Sequence, residues 1–246
     1  MVSADDLMVL HKVVLFQGLS VEEIATLQSL VHSRSFPAHS AILEWGQRGE
    51  GVYILVRGTV KISIGRSDGA EVILNILGPG QVLGELSAVD NEGHSASVVT
   101  LETCRFLWMA ETDFALCRHT MPSINHNLVS ILAQRLRRLT GHMEALSALD
   151  IHGRVACQLL AFVHDYGQVG SNGDILLPLH LTQSDLAHLV GASRENVNRV
   201  ISFYKRQGYI SMGCDNQITI LDREALTKRC HVSAPPGNHN RENEPL

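Results

Sequence analysis

The residues of this 246-residue chain best suited to chemical work lie in the stretch QSDLAHLVGASRENVNRVIS, Gln183 to Ser202. Within it and just beyond, Val197, Val200, Ile201 and Tyr204 recur at i, i+3, i+4 and i+7 and must face inward on a helix. Arg194, Glu195, Asn198, Arg199 and Ser202 are left on the outer face. An arginine takes guanine O6 and N7 through two parallel hydrogen bonds, and a glutamate accepts from cytosine N4. Near the N-terminus of a helix laid in a major groove, Arg194, Glu195, Asn198 and Arg199 are therefore candidate base-reading residues. Thr182 and Gln183 at the start of the preceding helix, with Ser193 at the start of the second, are candidate phosphate contacts.

Two helices must be locked together for such a face to be presented, and the stretch supplies the means. Leu186, Val190, Ala192, Val197 and Val200 are the apolar contacts, Ala187 is small where the helices cross, and Gly191 suits a turn with positive φ. A merely solvated, salt-bridged helix would need neither the Gly191 turn nor the first helix. After Tyr209 the residues to Leu221 read as a hairpin turned at Cys214-Asp215-Asn216. With a helix over Arg154 to Asp165 and a loop over Gly167 to Gly173, the pattern is that of a winged helix-turn-helix.

The N-terminal half has a different rhythm. From Phe36 to Met109 short runs such as GVYILVRG, TVKISIG, AEVILNIL, SASVVT and CRFLWM alternate with turn signals at Arg57-Gly58, Ser67-Asp68-Gly69 and Gly78-Pro79-Gly80. Such spacing predicts an antiparallel roll or sandwich. A helix from Val21 to Val31 precedes it, with Ser20 as N-cap and Glu23 completing a capping box. After Pro122, Val129, Leu132, Leu136, Leu139, Met143 and Leu146 are spaced by alternating threes and fours, a narrow seam suited to pairing with a second copy of itself. The expected fold is α+β: a jelly-roll-like antiparallel β-roll over 1–122, a long dimerisation helix over 123–149, a winged helix-turn-helix over 150–230, and a disordered tail over 231–246.

Composition narrows the function. The net charge of −5 looks wrong for a nucleic-acid binder until it is divided, because Arg194 to Arg206 holds four basic residues against Glu195 alone. The first residues lack a basic signal-peptide region, and no apolar run approaches a membrane span, so a cytoplasmic protein without membrane contact is expected. Five dispersed cysteines, Cys104, Cys117, Cys157, Cys214 and Cys230, suggest ordinary thiols instead of a disulfide framework or zinc site. Thirteen scattered histidines give no metal-ligand spacing, and no nucleophile–base pair or phosphate loop is visible. Neither a metal nor an enzymatic activity is expected.

At this point a resemblance is plain. GASRENVNR resembles the GxSRExVxR signature of the CRP/FNR superfamily of bacterial regulators, and LDIHGRVACQLL resembles the segment following that family's dimerisation helix. GVYILVRGTVKI, LGPGQVLGELS and HSASVVT resemble its cyclic-nucleotide-binding β-roll. The resemblance implies a homodimer that binds double-stranded DNA at a palindrome with TGTGA-type half-sites, with RNA polymerase as a partner if it activates. It also implies an effector pocket around Gly84, Glu85, Leu86, His94, Ser95, Ala96, Leu139 and Thr140. In cyclic-nucleotide-binding relatives the glutamate takes the ribose hydroxyl, an Arg-Ser pair clamps the phosphate, and two hydroxyls on the long helix meet the base. Here His94 and Leu139 replace the arginine and one hydroxyl, so cAMP binding should be weak or absent, and a different anionic effector, a dinucleotide, a protein partner or no effector at all stay open. The iron-sulfur branch needs N-terminal cysteines, which are missing before Cys104, and His94 alone is thin support for haem. A cyclic-nucleotide-binding module that controls another activity is the rival reading, but it leaves Gln183 to Ser202 unexplained.

Overall fold

The computed structural model describes residues 9–11, 13–65, 71–213 and 217–230. The expected turns at Ser67-Asp68-Gly69 and Cys214-Asp215-Asn216, and the expected tail over 231–246, lie outside the described residues.

Helix α1 (Val21–Leu30) begins with the expected capping box: Ser20 accepts from the Glu23 amide, and Glu23 reaches back to the Ser20 amide. Eight strands follow: β1 (His32–Phe36), β2 (Ala41–Leu43), β3 (Gly51–Arg57), β4 (Val60–Gly65), β5 (Glu71–Leu77), β6 (Val82–Leu83), β7 (Ser97–Thr100) and β8 (Cys104–Ala110). A short helix α2 (Ser87–Asp90) lies between β6 and β7. The strands form two four-stranded sheets with all pairings antiparallel, in the orders β1-β8-β3-β6 and β2-β7-β4-β5.

Strand β3 is apolar almost throughout because its sheet is covered on both faces. Tyr53 and Leu55 point between the sheets toward Phe106, whereas Val52, Ile54 and Val56 join Leu107 and Met109 beneath the helices. Those helices are α1, α3 (Glu111–Thr120) and the N-terminal part of α4 (Pro122–Ala148), which contributes Ile124 and Leu128. Pro122 suits the first turn of α4, where its missing N–H leaves no bond unmade. Helix α3 was not anticipated from the sequence.

The C-terminal part consists of α5 (Ile151–Tyr166), β9 (Gln168–Val169), β10 (Ile175–Leu177), α6 (Gln183–Leu189), α7 (Arg194–Arg206), β11 (Ile210–Met212), β12 (Ile218–Ile220) and α8 (Arg223–Cys230). Its four strands make one sheet in the order β11-β12-β10-β9, so part of the expected 167–173 loop is a strand of the wing sheet. Its core continues into the β-roll through Ile73 and Ile76 of β5. Gly78 lies at this contact, since a Cβ there would lie 2.9 Å from Leu179 Cδ2 and 3.1 Å from the Tyr166 ring. Burial pushes the Tyr166 phenol up to about 12.

The reading of every cysteine as a free thiol needs correction. Cys157 on α5 and Cys230 at the end of α8 form a disulfide, with Cα atoms 4.9 Å apart. The reason is tertiary: α8 returns along α5, and Gly153 permits this by leaving room beside the Arg229 carbonyl, which would lie 3.1 Å from a Cβ.

Candidate nucleic-acid interface and effector cavity

Helix α6 is held at its start by a second capping box, in which Thr182 Oγ1 accepts from the Asp185 amide at 3.1 Å and Asp185 accepts from the Thr182 amide at 3.1 Å. Thr182 also donates its hydroxyl proton to Asp185 at 2.6 Å. That hydroxyl is thereby committed to the cap, so a phosphate contact at this end falls more readily to the side chain of Gln183. Ser193, N-cap of α7, accepts from the Asn196 amide at 3.3 Å and keeps its own proton available.

Between the helices Gly191 adopts φ +60°, and the Ala192 amide donates to the Ala187 carbonyl at 2.9 Å. Arg154 of α5 donates to the Val190 and Gly191 carbonyls at 2.9 and 3.3 Å, which fixes the turn from behind. Sequence reasoning missed this role of Arg154; the one arginine in a mostly apolar helix was the available signal. Helix α7 divides as expected: Val197, Val200, Ile201 and Tyr204 are buried, while Arg194, Glu195, Asn198, Arg199 and Ser202 are exposed. Tyr204 also anchors the helix by donating to the His152 carbonyl at 2.7 Å, and burial raises its phenol pKa above the usual range. An open groove beside Asn198, Arg199 and Ser202 is lined further by Lys205 and Arg206, giving the face a positive rim.

The residues predicted for the effector pocket do not all meet. Leu86, Ser95, Ala96 and Leu139 line a cavity of about 730 Å³ between the β-roll, α4 and α5. Gly84, Glu85, His94 and Thr140 do not line it. Gly84 has φ +78°, and the Gly51 carbonyl would lie 2.8 Å from a Cβ there. Glu85 is buried in an ion pair with Arg135 of α4, and the same guanidinium donates to the Val82 carbonyl at 2.7 Å. His94 is buried with Nδ1 3.0 Å from Ser87 Oγ, while Ser87 donates to the Gly84 carbonyl at 3.0 Å. That places the ring proton on Nδ1, donated to the serine. Burial lowers the pKa of His94 against the opposing pull of Glu85, so the ring is neutral at pH 7. Thr140 spends its proton on the Leu136 carbonyl at 3.0 Å.

The α4 seam stands open in the single chain. Val129, Leu136 and Met143 are 66%, 66% and 69% exposed, Leu139 and Leu146 about half, and Leu132 is half-buried. Leu146 has a second neighbour, since its Cδ2 lies 3.3 Å from where a Gly191 Cβ would stand. Among the described residues no helix is long and apolar enough to cross a membrane, and no cluster of His, Cys, Asp and Glu could hold a metal ion.

A β-roll joined by one long helix to a winged helix-turn-helix defines a class of DNA-binding regulators with an attached sensor-type domain. Residues 33–118 match the cyclic nucleotide-binding domain, and residues 153–229 match the Crp-like helix-turn-helix domain. The CRP-like cAMP-activated global transcriptional regulator of Mycobacterium tuberculosis is 33% identical over 90% of this chain and 98% of its own length. The cyclic AMP receptor protein of Thermus thermophilus is 32% identical over 81% of this chain and 88% of its own. The solved structure of FixK2 from Bradyrhizobium japonicum shares the fold with a TM-score of 0.74 at 22% identity, covering 83% of this chain and 99% of that one. The chain belongs to the CRP/FNR family, and it is a DNA-binding transcription regulator, not an enzyme.

Proposed function

We propose that two copies of this chain pair through α4 and read a palindromic, TGTGA-like operator with α7, acting in the cytoplasm, and with RNA polymerase wherever the bound dimer activates. The observation that carries this reading is the exposed face formed by Arg194, Glu195, Asn198 and Arg199 on a helix locked beneath by four buried side chains. Ser193 and Gln183 supply phosphate contacts that set the register.

The same regulator works without cAMP, or with it only weakly. Its buried histidine faces Ser87 and is neutral, and Glu85 is already neutralised by Arg135. A cyclic phosphate entering beside Ser95 therefore meets neither a free arginine fork at 94 nor a free carboxylate at 85. Losing a charge-assisted, bidentate partner costs on the order of 1.5–3 kcal/mol, or about one to two decades of affinity. cAMP-dependent action is the second reading, favoured by the names of the two relatives at 32–33% identity.

Fluorescence anisotropy with a TGTGA palindrome and a scrambled duplex, with and without cAMP, decides among these. Preference for the palindrome in the absence of nucleotide is the expected result. No preference under either condition would refute the operator reading, and binding seen only with cAMP would establish the second.

A further inference from the structure

The disulfide partners are the accessible cysteines among those described. Cys104 and Cys117 are buried in the β-roll, where burial pushes the first up to about 11 and raises the second, so both stay protonated and inert. Cys157 and Cys230 are half-buried and both line the 730 Å³ cavity. A protein that works on DNA inside a cell meets a thiol-rich, reducing solution, where disulfides are transient.

We propose that Cys157 and Cys230 are a reversible thiol–disulfide couple that exchanges with low-molecular-weight disulfides and tightens operator binding when oxidised. In the forward direction one cysteine loses its proton, and its thiolate attacks one sulfur of a small disulfide R′S–SR′, expelling R′S⁻. The second cysteine thiolate attacks the protein sulfur of that mixed disulfide, forming the Cys157–Cys230 bond and expelling the other R′S⁻. Two protein thiols are oxidised, one small disulfide is reduced, and the two released protons end on the two small thiols.

The consequence for DNA follows from what the bond spans. Its sequence separation of 73 encloses α6, α7 and the wing, so the bond restricts how far this domain can open. Without it, α8 is held with Leu226 as its one fully buried side chain among the described residues. Cys157 lies three residues beyond Arg154, on the same side of α5, and Arg154 holds the turn between α6 and α7. A stapled α5–α8 pair thus steadies the support of that turn, and a pre-organised surface binds more tightly.

The test uses the full chain, its C230S variant and a C104S/C117S variant, each equilibrated in mixtures of reduced and oxidised glutathione. Maleimide trapping and mass spectrometry count the free thiols, and anisotropy reads operator affinity. Wild type and C104S/C117S should lose two thiols together, regain them on reduction, and bind the operator at least ~3-fold more tightly when oxidised. C230S should do neither. Thiols that are never lost, or are lost without recovery, overturn the couple. Reversible loss with unchanged or weakened operator binding overturns its regulatory role. The thiol count is independent of the operator reading; a chain that binds the operator in neither state would overturn that reading and the regulatory role together.

Discussion

Replacing Leu136 and Met143 together by glutamate should separate the proposed dimer while leaving each chain folded. The two positions are seven residues apart on one side of α4, are 66% and 69% exposed in the single chain, and do not line the cavity. Complete burial of a leucine or methionine side chain contributes about 1.5–3 kcal/mol. With about two-thirds of each surface still to be covered, each should contribute roughly 1–2 kcal/mol to pairing. Two such residues on each of two helices give on the order of 4–8 kcal/mol, or about three to six decades in the dimer dissociation constant. Glutamates facing one another across a two-fold axis add repulsion in the same direction. Sedimentation velocity at micromolar protein should therefore show a dimer for the wild type and a monomer for the double variant, with matching circular dichroism. A double variant that sediments like the wild type would refute the seam, and a monomeric wild type would refute pairing altogether.

Alanine at Arg194 or Arg199 should relax base preference within a half-site, with each arginine contributing about 1–3 kcal/mol of discrimination; competition against single-base operator variants measures it, and an unchanged preference in both variants would show that α7 does not read the bases. Gly78→Val should lower Tm, because the new Cβ would start 2.9 Å from Leu179 and 3.1 Å from Tyr166. Overpacking of this kind typically costs about 1–3 kcal/mol, and about 2–4 °C per kcal/mol is expected at this chain length, so an unshifted Tm would contradict the tight contact between roll and DNA-binding domain. Burial holds the folded-state pKa of His94 below the ordinary 6.5, so the unfolded chain protonates first. Stability is then full above about pH 6.5 and is lost as the pH falls through that value toward the lower folded pKa. His94→Asn should flatten the fall in urea midpoint between pH 7 and pH 5, leaving a residue from His142, whose pKa burial also lowers; parallel curves for the two proteins would count against a buried neutral ring.

The parts legible in the sequence were those whose signal is local. The division of α7 into a buried and an exposed face follows from a spacing contained within eight residues, and the capping box of α1 from two residues three apart. What stayed hidden depends on distant chain segments meeting. Helix α8 has a weak signal because Leu226 is its one buried residue, and nothing in the spacing of Cys157 and Cys230 announces that α8 returns along α5. The effector region shows the same limit. Glu85 could be assigned to a ligand from its local motif, but its actual partner, Arg135, is 50 residues away. His94 could be recognised as a departure from a phosphate clamp, whereas its burial follows from the chain path, which brings Gly46 and Gln47 into backbone hydrogen bonds with it and Ser87 against its ring.

These long-range contacts converge on one helix. Arg135 of α4 reaches the Gly84-Glu85 turn of the roll, and Arg138, one turn of the same helix away, binds Asp165 of α5 at 2.7 Å. At its far end Leu146 approaches the turn between α6 and α7 that Arg154 holds. The open seam runs along this same helix, so a shift of α4 that improves pairing with a second chain must move the contacts to the roll and to the DNA-binding domain together. Coupling between sites requires an element with contacts that differ between two arrangements, and α4 is in direct contact with both candidates. A ligand in the 730 Å³ cavity would lie in a space whose walls include Arg135, Arg138 and Leu139. Its influence on DNA binding would then depend on whether it leaves the Glu85–Arg135 and Asp165–Arg138 pairs intact. A ligand that separates either pair favours a different placement of α5 relative to the roll, whereas one that fills the apolar space without disturbing them stabilises the arrangement seen here.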